Sequence, residues 1–187
     1  QDQRKIDDAV ASYNKALAIK PDFAEAHSNF GLVLQEQGKL DAAVTSYGKA
    51  IAIKPDFAKA HNNLGNALKG QGKLDDAVTS YRKALAINPD YAEAHNNLGN
   101  ALKGQRKLDD AVTSYRKALA TNPDYAEVHN NLGLVLQDQG KVDDAVTSYS
   151  KAFAIKPDYA EAYNNLGKAL NDQIVSRGNL NDAITNY

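Results

Sequence analysis

Along AEAHNNLGNALKGQ, residues 92–105, the apolar and small residues Ala94, Leu98, Ala101 and Leu102 recur at i, i+4, i+7 and i+8. That spacing places them on one stripe of an α-helix. After a short break, LDDAVTSYRKALATNP shows similar spacing through Leu108, Ala111, Val112, Tyr115, Ala118 and Leu119. The pattern predicts two helices, here named A and B. Asp90 followed three residues later by Glu93 resembles a capping box for helix A, and Asp109 is placed to cap helix B. Gly72 and Gly140 fall just beyond helix A, where a left-handed residue commonly ends a helix. Arg106 stands in that same column and costs about 1 kcal/mol if the backbone is kept.

The pair is repeated. HNNLGNALKGQ occurs letter for letter at 61–71 and 95–105, and a period of 34 gives complete units at 24–57, 58–91, 92–125 and 126–159. The second and third units differ only at Lys59 against Glu93, Gly72 against Arg106 and Ile87 against Thr121. All five prolines share one column. Residues 1–23 match only the helix B half of a unit, and 160–187 form an incomplete unit carrying four extra residues, IVSR, at 174–177. Four residues is roughly one helical turn, so helix A can lengthen there without turning its face, or the insert can form a looser loop with Ile174 and Val175 as a contact patch.

One helical pair is too small to close a core, whereas stacked pairs bury a continuous one. The expected fold is therefore all-α, an α-solenoid of helix-turn-helix repeats forming a single array over 1–187. Gly31, Gly65, Gly99, Gly133 and Gly167 on helix A, with Ala43, Ala77, Ala111 and Ala145 on helix B, are read as allowing close backbone approach. Leu64 and its equivalents, Tyr47, Tyr81, Tyr115 and Tyr149, and aromatics such as Phe57 and Tyr91 fill the remaining space. Ile6, Val10, Tyr13 and Leu17 lack part of their cover at one end of the array. Bare end faces of this kind predict self-association, end to end or by swapping.

Composition narrows the partners. The chain has 187 residues, 43% of them apolar, and a formal charge of −1, so nothing in its overall charge points to nucleic acid. There is no apolar run of membrane-spanning length, so membrane insertion is not expected. Cysteine is absent, which removes disulfides and thiolate metal sites and leaves the compartment open. Methionine is absent as well, and an excised or processed piece is expected.

A period of 34 with Leu-Gly on helix A, Ala, Tyr and Ala on helix B, and Pro near the unit end resembles the tetratricopeptide repeat (TPR) family. The resemblance covers essentially the whole chain. It implies a right-handed superhelix whose concave face, lined mainly by helix A, binds a peptide segment of a protein partner, and it implies a scaffold rather than an enzyme. Arrays resembling the substrate-recruiting region of O-linked N-acetylglucosamine transferase also carry asparagine in the Asn63 column. This keeps open the reading of a recruiting segment of a larger glycosyltransferase, beside that of a self-assembling scaffold.

If Leu98, Ala101 and Leu102 point inward, the opposite face of helix A is led by Glu93, Asn96, Asn97, Asn100 and Lys103. One column reads Asn29, Asn63, Asn97, Asn131 and Asn165 without exception, and its neighbour reads Ser28, Asn62, Asn96, Asn130 and Asn164. A side-chain amide pairs with a peptide's N–H and C=O groups whatever that peptide's side chains are. The candidate peptide site is therefore these asparagines with Asn66, Asn100, Lys59, Lys69 and Lys103. A second role for the amides is to bridge successive A helices and fix their pitch. The lysines occupy the middle units, whereas Glu25, Glu36, Glu127, Asp138, Glu161 and Asp172 crowd the outer ones, a polarity suited to an acidic segment. The lysine and asparagine arrangement of carboxylate-clamp arrays is not reproduced, because Asn62 and Asn96 stand where such a clamp begins with lysine.

Other chemistry finds no footing. His27, His61, His95 and His129 share one column, too widely spaced for one ion to collect several imidazoles, and are read as packing. NLGNALKGQG lacks the GxxxxGK[ST] phosphate loop. The Ser and Thr of AVTSY have no activating base placed beside them. No catalytic residue, metal site or cofactor is expected.

Overall fold

The computed structural model describes residues 2–185, with side-chain surroundings for 6–175. The helices run α1 (Asp2–Ile19), α2 (Ala24–Glu36), α3 (Leu40–Ile53), α4 (Ala58–Gly70), α5 (Leu74–Ile87), α6 (Ala92–Gly104), α7 (Leu108–Thr121), α8 (Ala126–Asp138), α9 (Val142–Ile155) and α10 (Ala160–Thr185). Among the described residues there is no strand. The A helices α2, α4, α6 and α8 alternate with the B helices α3, α5, α7 and α9, in hairpin repeats of about 34 residues. The chain divides into two compact units, Gln1–Ala101 and Leu102–Tyr187. In the first, α2 packs on α3 and α4 on α5, with α3 against α4; in the second, α7 packs on α8, α8 on α9 and α9 on α10.

The turn after each helix A rests on one residue with a left-handed backbone: Gly38 (φ 72°), Gly72 (φ 77°), Gly140 (φ 75°) and Arg106 (φ 63°). The residue that follows donates its N–H back five places, as in Lys73 N to Leu68 O at 3.0 Å and Lys107 N to Leu102 O at 3.0 Å. This bond pattern satisfies the last helical carbonyls. Arg106 adopts it despite its Cβ, so its side chain is carried at a conformational cost.

The helix starts correct the sequence reading. The residue before α2, α4 and α8 is Phe23, Phe57 or Tyr125, and no side chain caps there. Helix α6 begins at Ala92, so Asp90 and Glu93 sit one residue out of register for a capping box. Asp109 lies inside α7, after Lys107 at the cap position. The acids of the first turn still face the positive end of the helix dipole.

The core is organised by tyrosine. Tyr47, Tyr81, Tyr115 and Tyr149 are fully buried. A Cβ at Gly31, Gly65 or Gly133 would lie 2.6, 2.5 or 2.5 Å from Cε1 of Tyr47, Tyr81 or Tyr149. In these three hairpins the glycine thus makes room for a ring rather than for a neighbouring backbone. Within the first unit, Leu34, Ala43, Tyr47 and Ala67 form one such cluster, with Phe30, Leu32, Val44 and Leu64 packed around it. Ile6, Val10, Tyr13 and Leu17 are half-buried.

Helix α10 is the irregular element. It runs unbroken through the IVSR insert, 26 residues in all, so the insert lengthens a helix instead of forming a loop. Ile174 and Val175 are exposed on it, and a Cβ at Gly167 would meet nothing within 4 Å.

Candidate functional site

Helix A is buried on two sides, which its stripe of leucine and alanine does not foretell. On α4, Ala60, His61, Gly65, Ala67 and Leu68 are buried, and so are Asn62 and Asn63. The asparagines are covered because A helices of successive repeats lie side by side. Asn62 Nδ2 donates to Glu93 Oε1 at 3.0 Å, and Asn97 Nδ2 donates to Asn62 Oδ1 at 3.0 Å. In the second unit Asn130 Nδ2 donates to Glu161 Oε1 at 3.5 Å, and Asn165 Nδ2 to Asn130 Oδ1 at 3.0 Å.

This network fixes which way each amide points. A carboxylate accepts only, so Asn62 turns its NH₂ to Glu93 and its oxygen to Asn97. Asn97 then donates, and its own Oδ1 has no hydrogen-bond partner among the described residues. The same holds for Asn165. The glutamate that sequence assigned to a capping box instead anchors an amide on the preceding repeat.

The remaining candidates separate by surroundings. Asn29 is exposed, Asn63, Asn96 and Asn97 are buried, and Asn131 is half-buried. Asn66 is half-buried and its Oδ1 accepts from Tyr81 Oη at 2.7 Å. Where that column holds leucine, at Leu32 and Leu134, the tyrosine turns to a glutamine one helical turn on. Tyr47 Oη donates to Gln35 Oε1 at 3.2 Å and Tyr149 Oη to Gln137 Oε1 at 3.0 Å. Lys69 and Lys103 occupy the glutamine's column in the units that carry Asn66 and Asn100. Moving the acceptor to asparagine therefore releases that position for a cation. Lys59 is exposed, and Lys69 and Lys103 are half-buried.

Burial in this apolar layer disfavours the charged phenolate. It raises Tyr47, Tyr81 and Tyr115 well above the usual tyrosine range and Tyr149 to about 12, where the Asp138 charge adds to the effect. These phenols are donors at neutral pH, which fits their pairing with amide oxygens.

The histidine column also has a defined task. Nε2 of His27, His61, His95 and His129 lies 2.8, 3.0, 2.8 and 2.9 Å from the carbonyl oxygen of Pro21, Pro55, Pro89 and Pro123. Proline and histidine together pin the turn between repeats. Among the described residues no group of histidine and carboxylate side chains is placed to hold a metal ion. No helix among them is long and apolar enough to cross a membrane.

One set of bonds escaped the sequence reading. Gln71 Nε2 donates to Asp41 Oδ1 at 2.8 Å, Gln139 Nε2 to Asp109 Oδ1 at 2.8 Å, and Gln173 bonds Asp143 in the same way. In these three places the aspartate in the first turn of helix B thus ties down the end of the next helix A. The available signal was a glutamine recurring 30 residues after each of these aspartates.

A model of the TPR repeat matches residues 2–38, 31–72, 65–106, 105–140 and 135–173. This chain belongs to the TPR repeat family. Among solved structures the TPR chain is similar to MamA, with a TM-score of 0.76 at 25% identity over 86% of this chain and 94% of that one. It is also similar to pilF of Pseudomonas aeruginosa, with a TM-score of 0.75 at 26% identity over 80% of this chain and 68% of that one. YrrB, described as a TPR protein with an unusual peptide-binding site, shares the fold with a TM-score of 0.72 at 22% identity over 86% of this chain and 83% of that one. No curated protein matches the chain. TPR repeats are generally non-catalytic modules that bind protein or peptide partners.

Proposed function

We propose that this chain is a protein-interaction module that takes a peptide segment along the side chains of its A helices, through the Asn63 column. The observation that carries the reading is the set of oriented amides. Asn97 and Asn165 are each held by one donated bond, and each keeps an oxygen with no partner among the described residues. An acceptor fixed in direction costs little ordering when it meets a peptide N–H. The amide ignores the partner's side chains, so the module tolerates varied sequences, and Lys59, Lys69 and Lys103 favour acidic ones. Bridge and ladder coexist, because the Asn62 column sets the geometry in which the Asn63 column is presented.

The test replaces Asn63, Asn97 and Asn131 together with alanine and pans wild type and variant against a displayed library of random peptides. Peptides should enrich on the wild type and be lost on the folded variant. Equal enrichment on both would overturn the ladder.

Self-association is a second reading, favoured by one observation: Tyr163, Leu170, Ile174 and Val175 are all exposed on α10. Sedimentation velocity across a hundredfold range of concentration should show a growing species, and a constant monomer would remove it.

A further inference from the structure

Each compact unit holds a cavity of about 560 Å³ between two successive B helices, lined by none of the asparagines of the candidate peptide site. In the first unit it lies between α1 and α3, walled by Leu17, Phe30 and Ile53, with Asn14, Ser46 and Lys49 as polar groups. In the second it lies between α7 and α9, walled by Leu119, Leu132 and Ile155, with Arg116, Ser148 and Lys151. The two sets occupy the same columns three repeats apart, so the cavity comes from repeat packing and not from one irregular residue. Its volume is that of a small-molecule site. Nine or ten lining residues are too few for a protein–protein interface, which takes about 20–30 a side.

Each cavity is graded from polar to apolar along its length. B helices one repeat apart run in the same direction, because one helix A lies between them in the chain. On α3, Ser46 and Lys49 share a face, and Ala52 and Ile53 follow one turn on. On α1, Asn14 precedes Leu17 in the same sense. The second unit keeps the order, with Arg116 before Leu119 on α7, and Ser148 and Lys151 before Ala154 and Ile155 on α9. From Ser46 to Ile53 the helix rises about 10 Å.

The polar end has unused binding capacity. Ser46 is 5% exposed and its hydroxyl makes no hydrogen bond among the described residues, whereas Ser148 donates to Asp144 O at 2.9 Å. Lys49, Arg116 and Lys151 form no ion pair among the described residues. The apolar end is open too, with Ile53 40% exposed. Asp124 lines the second cavity at this end, in the turn beyond α7, where it repels an anion bound the wrong way round.

We infer that each cavity binds a small anionic amphiphile, a free carboxylic acid carried on an apolar chain of medium length. The carboxylate sits against Ser46 and Lys49 in the first cavity and against Arg116 and Lys151 in the second, and the chain runs towards Ile53 or Ile155. The lysine and arginine heads only donate and the Ser46 hydroxyl has its proton to give, which selects an acceptor with negative charge. The apolar walls ask for more than charge. The site does not depend on the peptide-binding reading above.

The test follows the methyl resonances of Leu17, Ile53, Leu119 and Ile155 by NMR in the full chain. Octanoate, acetate, octanol and octylammonium are titrated at equal ionic strength, octanoate below its micelle concentration. Octanoate should shift all four residues saturably, acetate and octylammonium none, and octanol should bind roughly fivefold more weakly for want of the charge contact. Arg116→Gln with Lys151→Gln should weaken octanoate roughly tenfold at Leu119 and Ile155 and leave Leu17 and Ile53 as they were, so that the first cavity reports on folding. Ser46→Ala with Lys49→Gln should give the converse. Vesicles of anionic phospholipid separate a free acid from a lipid headgroup: shifts with vesicles and none with octanoate overturn the site. So does an octanol response equal to that of octanoate, an undiminished response of the second cavity in the Arg116 and Lys151 double variant, or the absence of any shift.

Discussion

Adding one methyl group to a glycine of the same column should have opposite effects at Gly65 and Gly167. Gly to Ala inside a helix gains about 0.5–1 kcal/mol from backbone entropy and propensity. At Gly167 nothing lies within 4 Å of the new Cβ, so Gly167→Ala should show that gain undiminished. At Gly65 the Cβ would stand 2.5 Å from Cε1 and 2.7 Å from Cδ1 of Tyr81, a fully buried ring. The ring has nowhere to go: its hydroxyl is tied to Asn66 Oδ1 at 2.7 Å. Overpacking of this kind costs about 1–3 kcal/mol, so Gly65→Ala should be net destabilising by about 1 kcal/mol, with about 2 kcal/mol within reach. The two variants then differ by about 2 kcal/mol, or roughly 4–8 °C in Tm for a chain of this size. Paired thermal and urea melts measure it, read at more than one wavelength because repeat arrays can lose two-state behaviour. Equal shifts in the same direction would mean that the ring yields freely and that the glycine–tyrosine contact does not organise the hairpin.

Four further expectations follow from the same geometry. Arg106→Gly removes the side chain from a left-handed position (φ 63°) and should stabilise by about 0.5–1 kcal/mol after the added unfolded-state entropy of glycine; a melt that falls instead would assign Arg106 a contact of its own. Asn62→Ala strands the amide of Asn97 and the carboxylate of Glu93, and should cost about 1–3 kcal/mol, whereas Asn63→Ala breaks no internal bond and should leave the melt nearly unchanged. Ser28 Oγ and Asn63 Nδ2 are buried without a hydrogen-bond partner, so Ser28→Asn with Lys59→Glu, which supplies the residue types that hold Asn97, should raise stability by about 1–3 kcal/mol, measured in urea. The buried tyrosines are raised in the folded state, Tyr149 to about 12, above the unfolded value of about 10. The unfolded chain therefore loses these protons first, and the stability they contribute is complete below about pH 10 and lost as pH rises towards 12. Tyrosinate absorbance should lag in the native protein and appear with unfolding, and a simple titration at about pH 10 without loss of helicity would contradict the burial.

The helices were legible because apolar residues 3 and 4 apart leave little choice, and the repeat was legible because identical units must solve the same packing problem. Gly72 and Gly140 disclosed their turns, and Arg106 disclosed its strain, since only backbone handedness was at issue. What sequence misplaced were side chains that reach between repeats. Glu93 reads as a cap because the glutamate three residues from Asp90 is a local signal, while its real partner, Asn62, is 31 residues away. The asparagines read as an open face because a helical wheel shows one helix at a time, and the wheel cannot show a neighbouring A helix lying on that face. Asp109 and Gln139 were invisible for the same reason.

The bridge between A helices gives each repeat unit a plug on one side and a socket on the other. Asn97 supplies the plug to the unit before it, and a unit with asparagine in the Asn62 column and glutamate in the next unit's Glu93 column offers a socket to its successor. A duplicated unit arrives with both halves, so copies that conserve these positions can be added or exchanged without redesigning the joint. Between the unit holding Ser28 and the one holding Lys59 this plug and socket are not matched, since Asn63 Nδ2 and Ser28 Oγ are buried without a hydrogen-bond partner, so exchanging repeats there would not carry the joint over intact.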